Sequence, residues 1–356
     1  MRVFVTGGAG FIGSRFVRRL EAMGAEAVLV YDNLHPQVHG PDAQPPEFGP
    51  KVSFIKADIA DSEVLKAAVA EFRPTAVAHL VSETGTGQSY DEVSRYVTAN
   101  VSGTAYLLEA IRKLGYELDW FLLTSSRAVY GEGAYVDADA RPVARATRRL
   151  QDMEAGKFEV YGQDGLPLTA IASSSLIEPN PTSVYASTKL MQEYLVDNVL
   201  GMTDTRLLIY RFQNVFGAGQ SLINPYTGVL SIFLSRLFNG LPIAIFEDGE
   251  ISRDFVYVDD VVAAMIAGVE SDARPIRPMD VGAGESTRIY DAAMGLAKLA
   301  GHEDFDLPVN GAFRPGDIRH AVADISYTRE ILGWSPEISF NEGLKRLYDW
   351  AKEDMA

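Results

Sequence analysis

Apolar residues along the chain gather into short unbroken runs: RVFVTG (2–7), AEAVLVYD (25–32), VSFIKAD (52–58), TAVAHLVS (75–82) and DWFLLTSS (119–126). A strand with one wet face alternates apolar and polar positions. An unbroken run suits a strand covered on both faces, as in a parallel sheet between helices. The stretches GSRFVRRLEAMG (13–24), SEVLKAAVAEF (62–72) and VSGTAYLLEAIRKLG (101–115) space their apolar residues three and four apart, which predicts helices. A further helix is expected at YASTKLMQEYLVDNVL (185–200) and a further strand at RLLIYRFQ (206–213). Strand and helix in alternation predict an α/β protein with a doubly wound, Rossmann-type parallel sheet.

Past residue 215 the alternation loosens. FLSRLFNG, DDVVAAMIAGV and YDAAMGLAKLAG have helical spacing, mixed with the short strand patterns IAIFE and FVYVDD. This predicts a smaller, mixed α/β C-terminal domain over 215–356. The N-terminal domain spans 1–214 and is expected to take back part of 251–265. Residues 33–50 hold five prolines and two glycines and are expected to be irregular. Residues 131–183 show weak periodicity and are expected to form a long insertion, functional or mobile.

The chain's 356 residues suffice for one large or two ordinary domains with a real core. Its net charge of −16 argues against nonspecific binding to nucleic acid or to an anionic membrane. An anionic ligand would need a few arginines to make a local positive site. The absence of cysteine removes disulfides, thiol nucleophiles and cysteine zinc sites, and fits a cytoplasmic protein. The longest apolar stretch, VVAAMIAGV, is far short of a membrane span, and the glycine-rich start does not read as a signal peptide. His35 and His39 lie in the proline-rich loop, His79 ends a buried run, and His302 and His320 are isolated, so no metal is expected. Glu83 and Glu132 read as structural or solvated.

The first apolar run leads into VFVTGGAGFIGS (3–14). Gly7 permits a tight turn, Gly10 lets a pyrophosphate approach the backbone, and Gly13 allows close helix–strand packing. Such a trio also describes an ordinary loop. Its place, after the first strand and opening a helix, favours a dinucleotide. Asp32 ends the second run, where a carboxylate accepts from both ribose hydroxyls of NAD and repels a 2′-phosphate. NAD is therefore expected over NADP. Asp58 is placed to reach the adenine. Phe11, Ile12, Asn33, Ile59, Leu80, Val81, Asn100 and Ser125 are assigned to the same cofactor side, with Ser125 and Thr124 expected to pack or bond locally.

YASTK sets Tyr185 and Lys189 four apart, on one helix face. A free phenol has a pKa of about 10. A neighbouring ammonium favours the phenolate, as does a cationic nicotinamide ring, and the pair then serves as a general base near neutral pH. Lys189 is also placed to hold the nicotinamide ribose. Tyr-x-x-x-Lys alone also describes an ordinary helix face. What separates the readings is the ordered set: glycine loop, acid after the second strand, serine cluster ending a later strand, then Tyr-x-x-x-Lys.

With that set the sequence resembles the extended short-chain dehydrogenase/reductase family, in its nucleotide-sugar epimerase and dehydratase branch. The resemblance covers nearly the whole chain, through VTGGAGFIGS, AHLVS, NVSGT, SSRAVYG, YASTK, RFQNVFG, SRDFVYVDDV and FRPGDIRH. It implies that Tyr185 removes the proton from a sugar hydroxyl as hydride passes from that carbon to NAD. In an epimerase the hydride then returns to the other face of the 4-keto sugar. It implies that Ser126 hydrogen-bonds the reacting oxygen. Members that are 4,6-dehydratases carry Asp-Glu directly after this hydroxyl residue. This chain has Arg127 and Ala128, which leaves elimination no acid–base pair and excludes dehydration. Oxidative decarboxylation asks less of extra side chains and stays open.

A sugar nucleotide brings a diphosphate, which needs arginine forks. The resemblance assigns Arg253 and Arg314 to it, Asn214 to the phosphate or sugar, and Asp317 to the nucleoside ribose, with Arg127 on the substrate side. A narrower resemblance, to a bacterial dTDP-L-rhamnose 4-epimerase subgroup, rests on TGTGQS (84–89), GQSLINPYTGVLSIF (219–233), FEDGEISRDFVYVDD and GDIRHAVADIS. It implies that Thr86, Gln88 and Ser89 contact the hexose. Related sequences can carry paired cysteines within the insertion; this one has none, so a metal-stapled insertion is not expected. The helices after NVSGT and at YASTKLMQEYL imply a homodimer. The expected activity is 4-epimerisation of a nucleotide-activated hexose, of dTDP-L-rhamnose/dTDP-6-deoxy-L-talose type. The alternatives are an NAD(P)H-dependent 4-ketoreductase of a dTDP-4-keto-6-deoxyhexose, another UDP- or dTDP-sugar epimerase, and a non-catalytic sensor on the same scaffold.

Overall fold

The computed structural model describes residues 1–354 except 227, 303, 304 and 315. The five N-terminal apolar runs form β1 (Arg2–Thr6), β2 (Ala27–Asp32), β3 (Val52–Lys56), β4 (Ala76–His79) and β5 (Trp120–Ser126). Between them lie α1 (Gly13–Ala22), α2 (Pro36–His39), α3 (Ser62–Phe72), α4 (Thr86–Asp91), α5 (Val93–Tyr96) and α6 (Gly103–Arg112), with a π-helical turn over Val97–Ser102. The insertion holds β6 (Ala134–Val136), β7 (Pro142–Val143), α7 (Leu150–Glu154) and β8 (Thr169–Ile171). After it come α8 (Val184–Leu200), β9 (Arg206–Phe212), β10 (Asn214–Phe216), α9 (Val229–Phe238), β11 (Ser252–Arg253), β12 (Phe255–Tyr257) and α10 (Val258–Glu270). The chain closes with β13 (Met279–Val281), β14 (Thr287–Arg288), α11 (Ile289–Leu299), α12 (Ser326–Leu332) and α13 (Phe340–Asp354).

Seven strands form one parallel sheet in the order β3-β2-β1-β4-β5-β9-β13. Both faces are covered, which is why the runs are unbroken. Val3 and Val5 of β1 pack on one side with Phe16, Leu20, Val261 and Met265. Phe4 packs on the other with Leu65, Val69, Leu107 and Ile111. The strand order reverses between β1 and β4, and a ligand cleft is expected beyond the carboxyl ends of the strands there. A third core, with Phe216, Leu230, Leu234, Phe255, Leu296 and Leu347, belongs to the C-terminal part. No helix among the described residues is long and apolar enough to cross a membrane.

Three features depart from the sequence expectations. The segment that rejoins the sheet is longer than 251–265: α10 packs on the sheet and β13 supplies its seventh strand, so the fold does not divide at 214. IAIFE makes only an isolated bridge, Ile245 to Val309. The insertion is not a structureless loop but an antiparallel sheet in the order β7-β6-β8, over a small core of Tyr135, Ala146, Val160 and Leu168. Strands of two and three residues are too short to print a period on the sequence.

Candidate active site

The glycine loop is built by close contacts. Gly7 adopts φ +72°, and a Cβ there would lie 2.6 Å from Val81 N. A Cβ on Gly13 would lie 2.2 Å from Gly7 O, so only glycine lets α1 start this close to the turn. Gly10 has only Gly7 O, at 3.4 Å, near its missing Cβ and leaves its cavity side bare. Asp32 is buried and accepts from Ala9 N (3.0 Å, Oδ2) and Leu34 N (2.9 Å, Oδ1). It thus braces the loop, and each oxygen keeps a lone pair for ribose hydroxyls. Loop and acid together fit a dinucleotide.

Strand β5 delivers Ser126 at its last position. The Ser126 Oγ accepts from Ala128 N (3.1 Å), capping a single 3₁₀ turn over Arg127–Tyr130. With that lone pair engaged, the hydroxyl proton is free to donate outward. Helix α8 begins at Ser183, whose Oγ accepts from Ala186 N (3.1 Å), and Tyr185 N donates to Ser89 Oγ (3.1 Å). Tyr185 is half-buried, edge-on to Tyr96 with ring centroids 6.4 Å apart. Contrary to the expectation from charge alone, burial raises the Tyr185 phenol above its ordinary value, with the Ser126 hydroxyl pulling the other way. Burial also takes the neighbouring Lys189 ammonium down to about 7, against the pull of Glu193.

Sequence reading did not single out Glu193. It stands on α8 four residues beyond Lys189, buried, with Oε2 accepting from Arg211 Nη2 (2.6 Å) and Oε1 from Arg211 Nε (3.0 Å) and from the Ser125 hydroxyl. The spacing on one helix face was the available signal. Arg211 also lies over the Tyr130 ring, 4.8 Å from its centroid, and Tyr130 donates to Asp280 Oδ1 (2.7 Å).

A cavity of about 830 Å³ runs from the glycine loop past Ser126, Tyr185 and Lys189 into the C-terminal part. Of the expected residues, Gly7, Gly10, Phe11, Ile12, Gly13, Leu80, Thr86, Ser125, Ser126, Arg127, Tyr185, Lys189, Asn214, Arg253, Arg314 and Asp317 line it. Among its described lining residues the cations are Arg127, Lys189, Arg236, Arg253 and Arg314, and the sole carboxylate is Asp317. An acidic protein thus holds one strongly cationic cavity. Arg253 donates to Asp317 Oδ1 (2.7 Å). Arg127 is buried, donates to Gly131 O (2.9 Å), and leaves its Nε without a partner. Burial and the nearby Arg253 lower the Arg127 guanidinium to about 10.

Other expected residues support the cavity without lining it. TGTGQS is not a loop throughout: α4 starts at Thr86 and turns Gln88 and Ser89 inward. Gln88 exchanges amide bonds with Gln37 (2.9 and 3.0 Å) and donates to Glu92 (2.8 Å), while Ser89 donates to Thr86 O. Gln37 also donates to Asn224 Oδ1 (3.3 Å). These three amides fasten one cavity wall, which carries Val38, to another, which carries Asn224. Asn100 is fully buried in the π-helical turn. It donates to Glu83 O and Thr188 Oγ1 and accepts from Ser82 Oγ and Glu83 N, which fills its side-chain amide. Ile59 packs against Gly103, and Val81 against Gly7. Asn33, after β2, donates to Asp58 Oδ2 (2.9 Å), after β3. Glu83 pairs with Arg95, and Glu132 with Arg148.

The sequence profile of the NAD dependent epimerase/dehydratase family matches residues 3–282. The dTDP-L-rhamnose 4-epimerase of Burkholderia thailandensis is 41% identical over 354 residues, covering 99% of this chain and 96% of that protein. Among solved structures, the fold is similar to the UDP-glucose 4-epimerase of Thermotoga maritima with UDP-glucose (TM-score 0.81, 27% identity, 100% of both chains). It is also similar to the UDP-glucose 4-epimerase of Thermus thermophilus in complex with NAD (TM-score 0.77, 28% identity, 99% of both chains).

Proposed function

The chain belongs to the NAD-dependent epimerase/dehydratase family, as an NAD-using nucleotide-sugar 4-epimerase, and we propose that its substrate is a dTDP-6-deoxyhexose of the dTDP-L-rhamnose/dTDP-6-deoxy-L-talose type. The likeness to the Burkholderia thailandensis protein over nearly the full length of both supports that choice.

The glycine loop and Asp32 would hold NAD, which would supply the hydride acceptor for C4 of the sugar and, once reduced, the donor that returns it to either face. Tyr185 takes the proton of the C4 hydroxyl on oxidation and returns it to that oxygen on reduction. Ser126 donates to the same oxygen as its charge changes. Lys189 holds the nicotinamide ribose and, as an ammonium, favours the phenolate of Tyr185. Arg253 and Arg314 fork the diphosphate, with Asn214 and Arg127 beside them; Asp317 keeps Oδ1 on Arg253 and offers Oδ2 to the nucleoside ribose. Asp32 holds the adenosine ribose and repels a 2′-phosphate.

The observation that carries this reading is the content of the cavity wall. Tyr185, Lys189 and Ser126 line the cavity together, Glu193 beside Lys189 is held by Arg211 and does not line it, and the one carboxylate among the described lining residues, Asp317, is paired with Arg253. Such a wall suits oxidation and re-reduction of one carbon and gives elimination no acid. The reading includes a homodimer formed through α6 and α8; the exposed Met191 and Tyr194 of α8, beside the exposed Tyr90 and Val93, support it.

The test starts from purified protein with no cofactor added. Denaturation is expected to release NAD. Fresh protein is expected to interconvert dTDP-L-rhamnose and dTDP-6-deoxy-L-talose, and to act poorly on UDP-hexoses, with no net reduced cofactor. Failure to epimerise any of them, with NAD(P)H oxidised by a dTDP-4-keto sugar, would overturn the proposal.

A further inference from the structure

The role of the insertion is written in its charges. Arg148 lies between β7 and α7 with its side chain 2% exposed, and its fork bridges three parts of the chain, with Nη1 also donating to Phe158 O (3.4 Å). Nε donates to Glu132 Oε1 (2.7 Å), Nη1 to Glu247 Oε1 (2.6 Å), and Nη2 to the backbone carbonyl of Asp317 (2.7 Å). Glu132 and Glu247 are equally buried and turn their second oxygens to Arg319, at its backbone N (2.8 Å) and Nη1 (3.0 Å). Segment 317–319 is therefore clamped at both ends from the insertion side.

That segment aims Arg253. Asp317 Oδ1 accepts from Arg253 Nη2 (2.7 Å), and Arg253 Nη1 donates to Arg319 O (3.4 Å) and Ser252 O (2.8 Å). Arg253 and Asp317 line the cavity; Arg148, Glu132 and Glu247 do not. The ion pairs join the insertion to the C-terminal part beside a contact of the Phe158 and Phe313 rings, centroids 6.4 Å apart, and a backbone bridge between Ser173 and Ala323.

We propose that Arg148 is a positioning residue for substrate: it fixes the backbone at Asp317 and through it the direction in which Arg253 meets the diphosphate. The insertion is thus a structural member of the anion site, fastened in part by a buried guanidinium. The inference rests on the nucleotide-sugar reading above. Lysine cannot replace arginine here, because an ammonium on a flexible stem does not hold three acceptors in one plane.

The test is calorimetric titration of the NAD-loaded protein with dTDP and with UDP, which bind without turnover. Arg148→Lys keeps the buried charge. It is expected to weaken dTDP about tenfold, the scale of one well-placed hydrogen bond, with NAD content unchanged. Arg253→Lys is expected to weaken dTDP at least as much, and adding Arg148→Lys to it should cost no more than about twofold further, since both act through one contact. In turnover, Arg148→Lys raises KM for the sugar nucleotide and leaves kcat near that of the parent. Should Arg148→Lys not fold, Glu132→Gln, which removes one partner of Arg148 and keeps the guanidinium, is expected to weaken dTDP in the same direction. Unchanged dTDP binding in a folded variant, or losses that simply multiply in the double variant, would overturn the inference. A parent protein that binds neither dTDP nor UDP would instead overturn the substrate reading, and the inference with it.

Discussion

Glu193 stands one helical turn beyond Lys189 on α8, and its negative charge opposes the fall that burial imposes on the Lys189 ammonium. Arg211 grips both of its oxygens and keeps it from turning away. In the protein without ligands Lys189 loses its proton near pH 7, and Glu193→Gln should move that loss to lower pH. Because the ammonium favours the phenolate of Tyr185, the alkaline fall of kcat/KM should shift down by about one pH unit. Glu193→Asp should restore part of the shift. A pH–rate profile superimposable on that of the parent would refute the link.

Tyr185→Phe removes the phenol proposed above to take the proton of the C4 hydroxyl. Turnover should drop by about 10²–10⁴-fold, while NAD content after purification stays that of the parent. Rate assays and cofactor release on denaturation check both halves; a variant of near-parental rate would reassign the base.

Gly13→Ala places a methyl where Gly7 O already lies, 2.2 Å away. The obstacle is backbone, so α1 must shift away from the turn. The expected results are loss of NAD from the purified protein and a stability loss of about 1–3 kcal/mol, read by urea unfolding.

His79 is buried, with its ring bonded to Thr6 Oγ1 (2.7 Å) and Thr104 Oγ1 (2.8 Å), and burial lowers its pKa to about 3. The unfolded chain protonates this ring below about pH 6.5, while the folded chain stays neutral to about 3. Proton uptake then favours the unfolded state, so stability present above pH 6.5 is lost as pH falls through that window, by up to about 1.4 kcal/mol per unit. Urea unfolding between pH 4 and 7 should show this slope, and His79→Gln should flatten it. An equal slope in the variant would assign it to other groups.

Gln88 fastens two walls of the cavity and does not line it. Gln88→Ala should therefore leave KM for the sugar nucleotide within about twofold and speed exchange of bound NAD for labelled NAD. An unchanged exchange rate would count against the fastening.

What the sequence disclosed and what it hid differ in range. The central sheet was legible because burial on both faces leaves an unbroken apolar run in each strand. The glycine loop and the Tyr185–Lys189 pair show as local spacings, whereas Ser126 is singled out by the family resemblance; the fold sets all of them along one cavity. The resemblance gives Gln88 and Ser89 to the hexose, and a stretch such as TGTGQS does not disclose a helix; in α4 both side chains turn into the protein. Asn100 looked available for cofactor, yet its partners Glu83 and Thr188 lie 17 and 88 residues away. The cluster of Glu132, Arg148, Glu247 and Arg319 joins residues up to 187 apart, and no local pattern announces such a contact.

The fastening by Gln37, Gln88 and Asn224 is made of amides, which carry no net charge at any pH at which the protein is folded. Acidity and salt reach it through its charged neighbours, Glu92, which accepts from Gln88 (2.8 Å), and Arg95, which donates to Gln37 (3.3 Å). The bonds of Gln88 and Arg95 hold the Glu92 carboxyl below its ordinary range, so the two walls should stay joined until the medium is more acidic than a free carboxylate needs.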